Sequence, residues 1–365
     1  MSTRPIVAAL FTTPETVVDD YARLMRMAGY ERVIPRGNPV ALRTSLPWHS
    51  FFPACATTPW QMEGVIRALT GDGFASDEIF ACHPCPDRST GTRAEDANML
   101  TLVGKVYGVD SINISFERDI VMHRPQNTPT LSRLFPDGIP VPRRMVGAGL
   151  IHLPTMKTGH AATIAGAVEN AFGLLSRGGD GPARKVMDEV LIDLLRLQSD
   201  IHPGVFAVMD GAFAGGGHGP KRLIPSVKGL IMASSDMVAL DSVAARVMGF
   251  DPMQIPHLRL AHEAGLGVAD TNAVELVGAD IAGLDWGFPR YHRKGAHGGG
   301  KAAPPSAVGR MLAGVLSPLV ELLAVGAHDW WWYPFVGKPR VEWALHRTDW
   351  GELFRKYRKA GLTMK

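Results

Sequence analysis

An amine and an imidazole three residues apart stand out in the run Leu153-Pro154-Thr155-Met156-Lys157-Thr158-Gly159-His160. Lys157 can hold an anion, or act as a base if desolvation lowers its pKa, and His160 can serve as acid, base or metal ligand. Gly159 and Gly166 let a backbone approach a ligand closely, and a helix starting just beyond would favour a negative charge. A plainer reading stands beside this one, with Lys157 exposed and His160 capping the next helix. Asp210-Gly211 and the run Gly215-Gly216-Gly217-His218-Gly219-Pro220 form a second ligand loop in this reading. Its glycines can cradle a phosphate or carboxylate, yet it lacks the Gly-Lys-Ser/Thr ending of a P-loop and the spacing of a dinucleotide fingerprint. The alternative is a turn with His218 in solvent.

Ser234-Ser235-Asp236 precedes an apolar helix, where Ser235 or Asp236 serves as N-cap and both are set among the ligand-facing residues. Asp241 lies five residues into that helix and, if buried, needs a partner such as Lys157 or Arg246. Cys82-His83-Pro84-Cys85, with Cys55 upstream, puts two thiols two residues apart, a spacing that suits an iron–sulfur cluster or another metal. Only three cysteines exist, so a cluster would draw its fourth ligand from His83, solvent or substrate; otherwise these are ordinary loop cysteines.

The elements that must position these residues read as α/β. Strands are expected at 7–11, 78–81, 111–116, 146–153, 205–209, 228–233 and 273–277. Helices are expected at 14–27, 59–69, 94–107, 162–175, 183–198, 236–248 and 256–264, with Thr13-Pro14 and Thr58-Pro59 as helix starts. This gives a mostly parallel open sheet flanked by helices. Residues 1–145 form an N-terminal α/β unit with an excursion at 117–144 such as a hairpin or lid. Residues 146–285 form a C-terminal α/β unit of the same core, 286–305 a linker, and 306–365 an apolar, Trp-rich and basic tail. Lys157 and His160 fall in a strand-to-helix connection, where open α/β sheets bind ligands.

Length and composition agree with an ordinary folded enzyme: 365 residues, 46% hydrophobic, 20% charged, formal charge +3. The excess charge sits largely in Arg355, Lys356, Arg358, Lys359 and Lys365, so no nucleic-acid groove is expected through the body of the chain. The N-terminus has no export signal, and sparse cysteines suit a reducing compartment, so the expected location is cytoplasmic. Residues 311–327 are apolar around Pro318 and Glu321, and Trp330-Trp331-Trp332-Tyr333-Pro334-Phe335 follows. That tail reads as a helix packed on the core or on a second subunit of a homo-oligomer. Its other reading is an interfacial anchor peripheral to the inner membrane face, with a spanning helix disfavoured.

Several of these motifs, in this order, resemble domain-of-unknown-function family 362. They are Leu153 to His160, Gly166-Ala167-Val168-Glu169-Asn170-Ala171-Phe172-Gly173, Asp210-Gly211 with His218-Gly219-Pro220, and Ala233 to Asp241 leading to Met248-Gly249. The resemblance spans about residues 45–280 and implies no assigned reaction. It brings Asn170 into the ligand set, while Glu169 stands where a lysine is usual. Members often carry a ferredoxin module, and this chain has no such four-cysteine segment. The layout of Thr57-Thr58-Pro59, Gly73, His83, Arg88, His152, Lys157 and Gly166 is similar to lactate-racemase-like proteins, which implies loops that bind a nickel pincer cofactor and shift hydride.

The expected function is an enzyme acting on a small anionic or partly apolar molecule. Its cleft lies between the 57–60, 82–93, 157–160 and 210–220 loops, with Thr58, Arg88, Gly159, Gly216 and Gly217 facing the ligand. Lys157, His160, Asp210 and Asp241 are expected to do the chemistry. A metal-dependent redox protein built on Cys55, Cys82 and Cys85, and a membrane-surface adaptor built on Trp330 to Phe335, are the alternatives.

Overall fold

The computed structural model describes residues 4–84, 88–159, 163–177, 181–289 and 327–363. Eleven strands appear among them: β1 (Ile6–Phe11), β2 (Val40–Thr44), β3 (Ile79–His83), β4 (Asp110–Asn113), β5 (Ile120–His123), β6 (Ile139–Pro142), β7 (Gly149–Leu153), β8 (Thr155–Lys157), β9 (Val205–His218), β10 (Arg222–Ser234) and β11 (Glu275–Gly278). The helices are α1 (Val17–Met27), α2 (Pro59–Gly71), α3 (Arg88–Ala97), α4 (Leu100–Tyr107), α5 (Pro129–Leu134), α6 (Ala167–Asn170), α7 (Gly181–Lys185), α8 (Met187–Ile201), α9 (Met237–Val247) and α10 (Pro256–Glu263), followed by two C-terminal helices, Lys338–His346 and Asp349–Thr363.

Nine strands make one sheet in the order β11-β1-β10-β9-β7-β2-β3-β4, with β8 on the outer half of β9. All its pairings are parallel except those of β10, which runs against both β1 and β9. Alternate residues of each central strand enter opposite cores: Val7, Ala41, Phe80, Leu150, Ala207 and Met232 on one face, Ala8, Leu42, Ala81, Ile151, Val208 and Ile231 on the other. A sheet buried on both faces needs this near-continuous apolar pattern. α1, α2 and the C-terminal helices cover the second face, while α6, α8, α9 and α10 cover the first.

Several expected elements change shape. β2 was not expected: five residues carrying Arg43 show no clean alternation, yet all five are buried. The strands expected at 205–209 and 228–233 are the sheet-bound ends of a long hairpin, β9–β10. The helix expected at 94–107 is two, broken where Met99 adopts a φ of 61°. The one expected at 162–175 is a single α turn followed by tighter turns over Ala171–Arg177, and the one at 183–198 breaks at Val186 into α7 and α8. The first helix begins at Val17 rather than Pro14, although Thr13 O already accepts from Val17 N at 2.9 Å. The excursion is a separate antiparallel pair, β5–β6, enclosing α5. Its helix is capped from outside, since Asp193 on α8 accepts from Thr130 N and Leu131 N at 2.8 and 2.9 Å.

Residues 290–326, with most of the expected linker and apolar segment, lie outside the described residues. The segment beyond them docks on the second face. Trp350 packs on Trp60 at 5.3 Å, Phe354 stacks on Phe51 at 4.1 Å, Tyr333 meets Trp48 at 5.2 Å, and Tyr357 OH donates to Glu63. Trp331 and Phe335 remain exposed. Among the described residues no helix is long and apolar enough to cross a membrane. Because Trp350 is buried against α2, Trp350→Ala is expected to lower the unfolding free energy by about 3–5 kcal/mol in urea titrations. A loss below about 1 kcal/mol would mean that the tail does not belong to the fold.

Candidate functional site

After β2 the chain runs over one face through α2 to β3, and after β7 it runs over the other through α8 to β9. The two connections therefore diverge at the carboxyl ends of β2 and β7, which by topology is the crevice position where open α/β sheets take ligands. Thr57 pins its rim: its hydroxyl donates to Leu153 O at 2.7 Å and accepts from Ser45 N at 2.8 Å.

Lys157 ends β8 rather than sitting in a loop, and pairs with Gly215 of β9. The strand carries it inward, and it is only 3% exposed. Its ammonium donates to Thr155 Oγ1 at 2.8 Å and reaches Ser45 Oγ, just past β2, at 3.5 Å. Burial lowers its pKa, opposed by the more distant Cys55, Glu169 and Asp241. Among the described residues no carboxylate makes an ion pair with it.

Arg43, one strand away, is a second buried cation. It is 4% exposed, donates to Thr44 O, and has no partner for Nε. Burial lowers its pKa to about 10. A Cβ at Gly173 would crowd both the Arg43 guanidinium and Pro84 Cγ, the latter at 2.6 Å. Asn170 Nδ2 donates to Arg43 O at 2.9 Å and to His152 Nδ1 at 3.3 Å, while His152 Nε2 meets Gln198 Oε1 at 2.9 Å. Burial pushes His152 down to about 3, so the imidazole is neutral and its two nitrogens are already engaged.

Two of the expected acidic residues brace this crevice. Asp210 accepts from Thr58 Oγ1 at 2.5 Å, Trp60 Nε1 at 2.6 Å and Ala212 N at 2.7 Å, tying the first turn of α2 to β9. Gln61 Nε2 adds bonds to Pro154 O and Val208 O at 2.9 and 2.8 Å. Asp241 accepts from Ala167 N at 2.7 Å and Val168 N at 2.9 Å, so it caps α6 from a neighbouring helix. Its partners are thus backbone amides, while Arg246 bonds Thr271 Oγ1 instead. Gly166 is needed at that junction, since a Cβ would lie 2.2 Å from Asp241 Oδ1.

The structure therefore brings Lys157, Gly159, Asn170, Asp210, Thr58 and Asp241 to one edge of the sheet. Gly159 closes against Glu169, whose Oε2 is 3.0 Å from where a Cβ would be, and that oxygen is buried without a hydrogen-bond partner. Gly215, Gly216 and Gly217 are strand residues paired with Pro225, Ile224 and Leu223, not a ligand loop. The space above Gly215 belongs to Leu223 and Ala54, and that above Gly216 to Phe288 and Pro289. His218 is exposed at the hairpin end. Asp236 caps α9 through Ala239 N at 2.9 Å and also accepts from Val268 N at 3.0 Å, beside the exposed Ser235. Because β10 runs against its neighbours, both fall at the opposite edge of the sheet from Lys157.

Arg88 opens α3. His160 and Cys85 lie outside the described residues. Cys55 and Cys82 are fully buried, and burial raises their thiols to about 11 and about 12, the opposite of a poised thiolate. Among the described residues no three His, Cys, Asp or Glu side chains gather as metal ligands. The described donors do not fit an iron–sulfur cluster, and His152, neutral and fully bonded, does not fit a cofactor-facing role. Arg43 and Ser45 went unnoticed in the sequence. The signal for Arg43 was a cation inside an otherwise apolar run, Val40-Ala41-Leu42.

A doubly covered, mostly parallel sheet with its crevice at a reversal of strand order defines the class as open α/β. The chain belongs to the family described as Domain of unknown function (DUF362), whose model matches residues 40–246, more than half of the sequence. That span contains β2 through most of α9, and with them every residue of the crevice named above. No curated protein and no solved structure matches the chain.

Burial raises the Asp241 carboxyl to about 6, although its two amide bonds pull the other way. A raised folded-state pKa contributes stability that is complete below pH about 4 and is lost as pH climbs through about 6. Relative to Asp241→Asn, which cannot titrate, the wild type should lose on the order of 3 kcal/mol between pH 4 and pH 7. Urea titrations at both pH values check this, and an unchanged gap between the two proteins would contradict it.

Proposed function

We propose that the chain is an enzyme acting on a small anionic molecule held in the crevice at the carboxyl ends of β2, β7 and β8. Lys157 holds the anionic group and exchanges a proton with the bound molecule. One observation carries this reading: Lys157 is a buried cation with hydroxyl partners only, at the point of the sheet where ligands bind. A buried charge without a paired counter-charge is costly, and an incoming carboxylate or phosphate supplies the missing half. A lysine whose pKa is lowered by burial is also nearer to the protonation state a general base needs.

The sign of the stability effect follows. A depressed lysine pKa means that the folded protein binds its proton less readily than the unfolded chain, so stability falls as pH drops from the unfolded value through the folded one. Lys157→Met removes that penalty. The variant is expected to melt no lower than wild type at pH 7. Phosphate or succinate at millimolar concentration should raise the melting temperature of the wild type and leave that of the variant unmoved. The same response in both proteins, or none in wild type, would refute the reading.

A further inference from the structure

His83 closes β3 and is 2% exposed. Its Nε2 lies 3.2 Å from Glu95 Oε1, on α3, and its Nδ1 is buried with no hydrogen-bond partner. With the proton on Nε2 facing the carboxylate, Nδ1 carries a lone pair that no described residue uses. A buried polar atom left in this state points to a missing partner. Ser111 Oγ donates to the same Glu95 oxygen. Burial pushes the Glu95 carboxyl up, but the bonds from His83 and Ser111 outweigh it and hold the group below its ordinary value.

The imidazole and the carboxylate both line a cavity of about 320 Å³ at the carboxyl ends of β3 and β4, with Ser111, Asn113, Phe116 and Glu117 in its wall. This volume suits a small molecule. The described lining has two carboxyl side chains and no lysine or arginine, so its field favours a cation, the reverse of the Lys157 crevice. Among the described lining residues there is no positively charged hydrogen-bond donor.

We propose that this cavity is a second binding site and that it takes a small primary ammonium ion, which donates to His83 Nδ1 and is neutralised by Glu95. A hydroxyl could donate to the same nitrogen but would leave the carboxylate uncompensated, and a quaternary ammonium would supply charge without an N–H. The proposal is independent of the reading of Lys157.

Calorimetric titration of the full chain with ethylammonium, ethanol and tetramethylammonium tests it. Saturable binding of ethylammonium alone is expected, weakened about tenfold or more in Glu95→Gln, as loss of a charged hydrogen bond implies. Because that variant could fail to fold, the wild-type imidazole nitrogens are followed by ¹⁵N NMR in parallel, and the Nδ1 signal of His83 should shift as ethylammonium binds. No saturable binding, equal binding of ethanol or tetramethylammonium, full binding by a folded Glu95→Gln, or an unmoved Nδ1 signal would each overturn the proposal.

Discussion

Two cations buried toward the carboxyl edge of the sheet, Lys157 on β8 and Arg43 on β2, with no described carboxylate ion-paired to either, set the terms for the structure around them. Water solvates an ammonium or guanidinium far better than hydroxyls and carbonyls do, so holding Lys157 and Arg43 inside requires that everything near them be fixed by other means. The parallel ladder supplies part of this. β2 and β8 both end at the carboxyl edge, and backbone pairing fixes each side chain there without depending on the charges themselves.

Three buried acids, Asp210, Asp241 and Asp193, supply the rest through scaffolding bonds. Asp210 collects a hydroxyl, an indole N–H and a backbone N–H from α2 and β9; Asp241 caps α6; Asp193 caps α5. In the last two cases the capping side chain comes from a neighbouring helix, so a short helix that could not stand alone is held by tertiary contact. Of the carboxylates that act on Lys157, Asp241 is oriented toward backbone amides, while Glu169 keeps a buried oxygen without a hydrogen bond. Lys157 is thus left without an ion pair, while the cavity at His83 and Glu95, at the ends of β3 and β4, has carboxylates in its described wall.

Much of this was legible in the residues. Long apolar strands and helix starts at Thr58-Pro59 and Asp236 gave the class of fold, and the run from Leu153 to Gly173 lies, as its strand-to-helix pattern implied, at the carboxyl edge of the sheet. Direction of chain was harder to read. Ser235 and Asp236 look like ligand-loop residues in sequence, but β10 is reversed, so they lie at the far edge. The glycines of 215–217 carry the composition of a phosphate loop, yet they serve a strand whose neighbours need their space. Arg43 was hidden because a five-residue strand buried on both faces has no periodicity to reveal it, and the cap role of Asp241 depends on a contact between residues 74 positions apart. The His83–Glu95 pair likewise forms only once β3 and α3 are folded together.

The most direct test of the central idea, a buried amine that waits for an anion, is to follow the Lys157 ammonium itself by ¹⁵N NMR across pH, with and without saturating phosphate. The structure predicts titration below the ordinary lysine range in the free protein and a clear upward move when phosphate is bound. A Lys157 that titrates as an exposed lysine does, and ignores the anion, would contradict it.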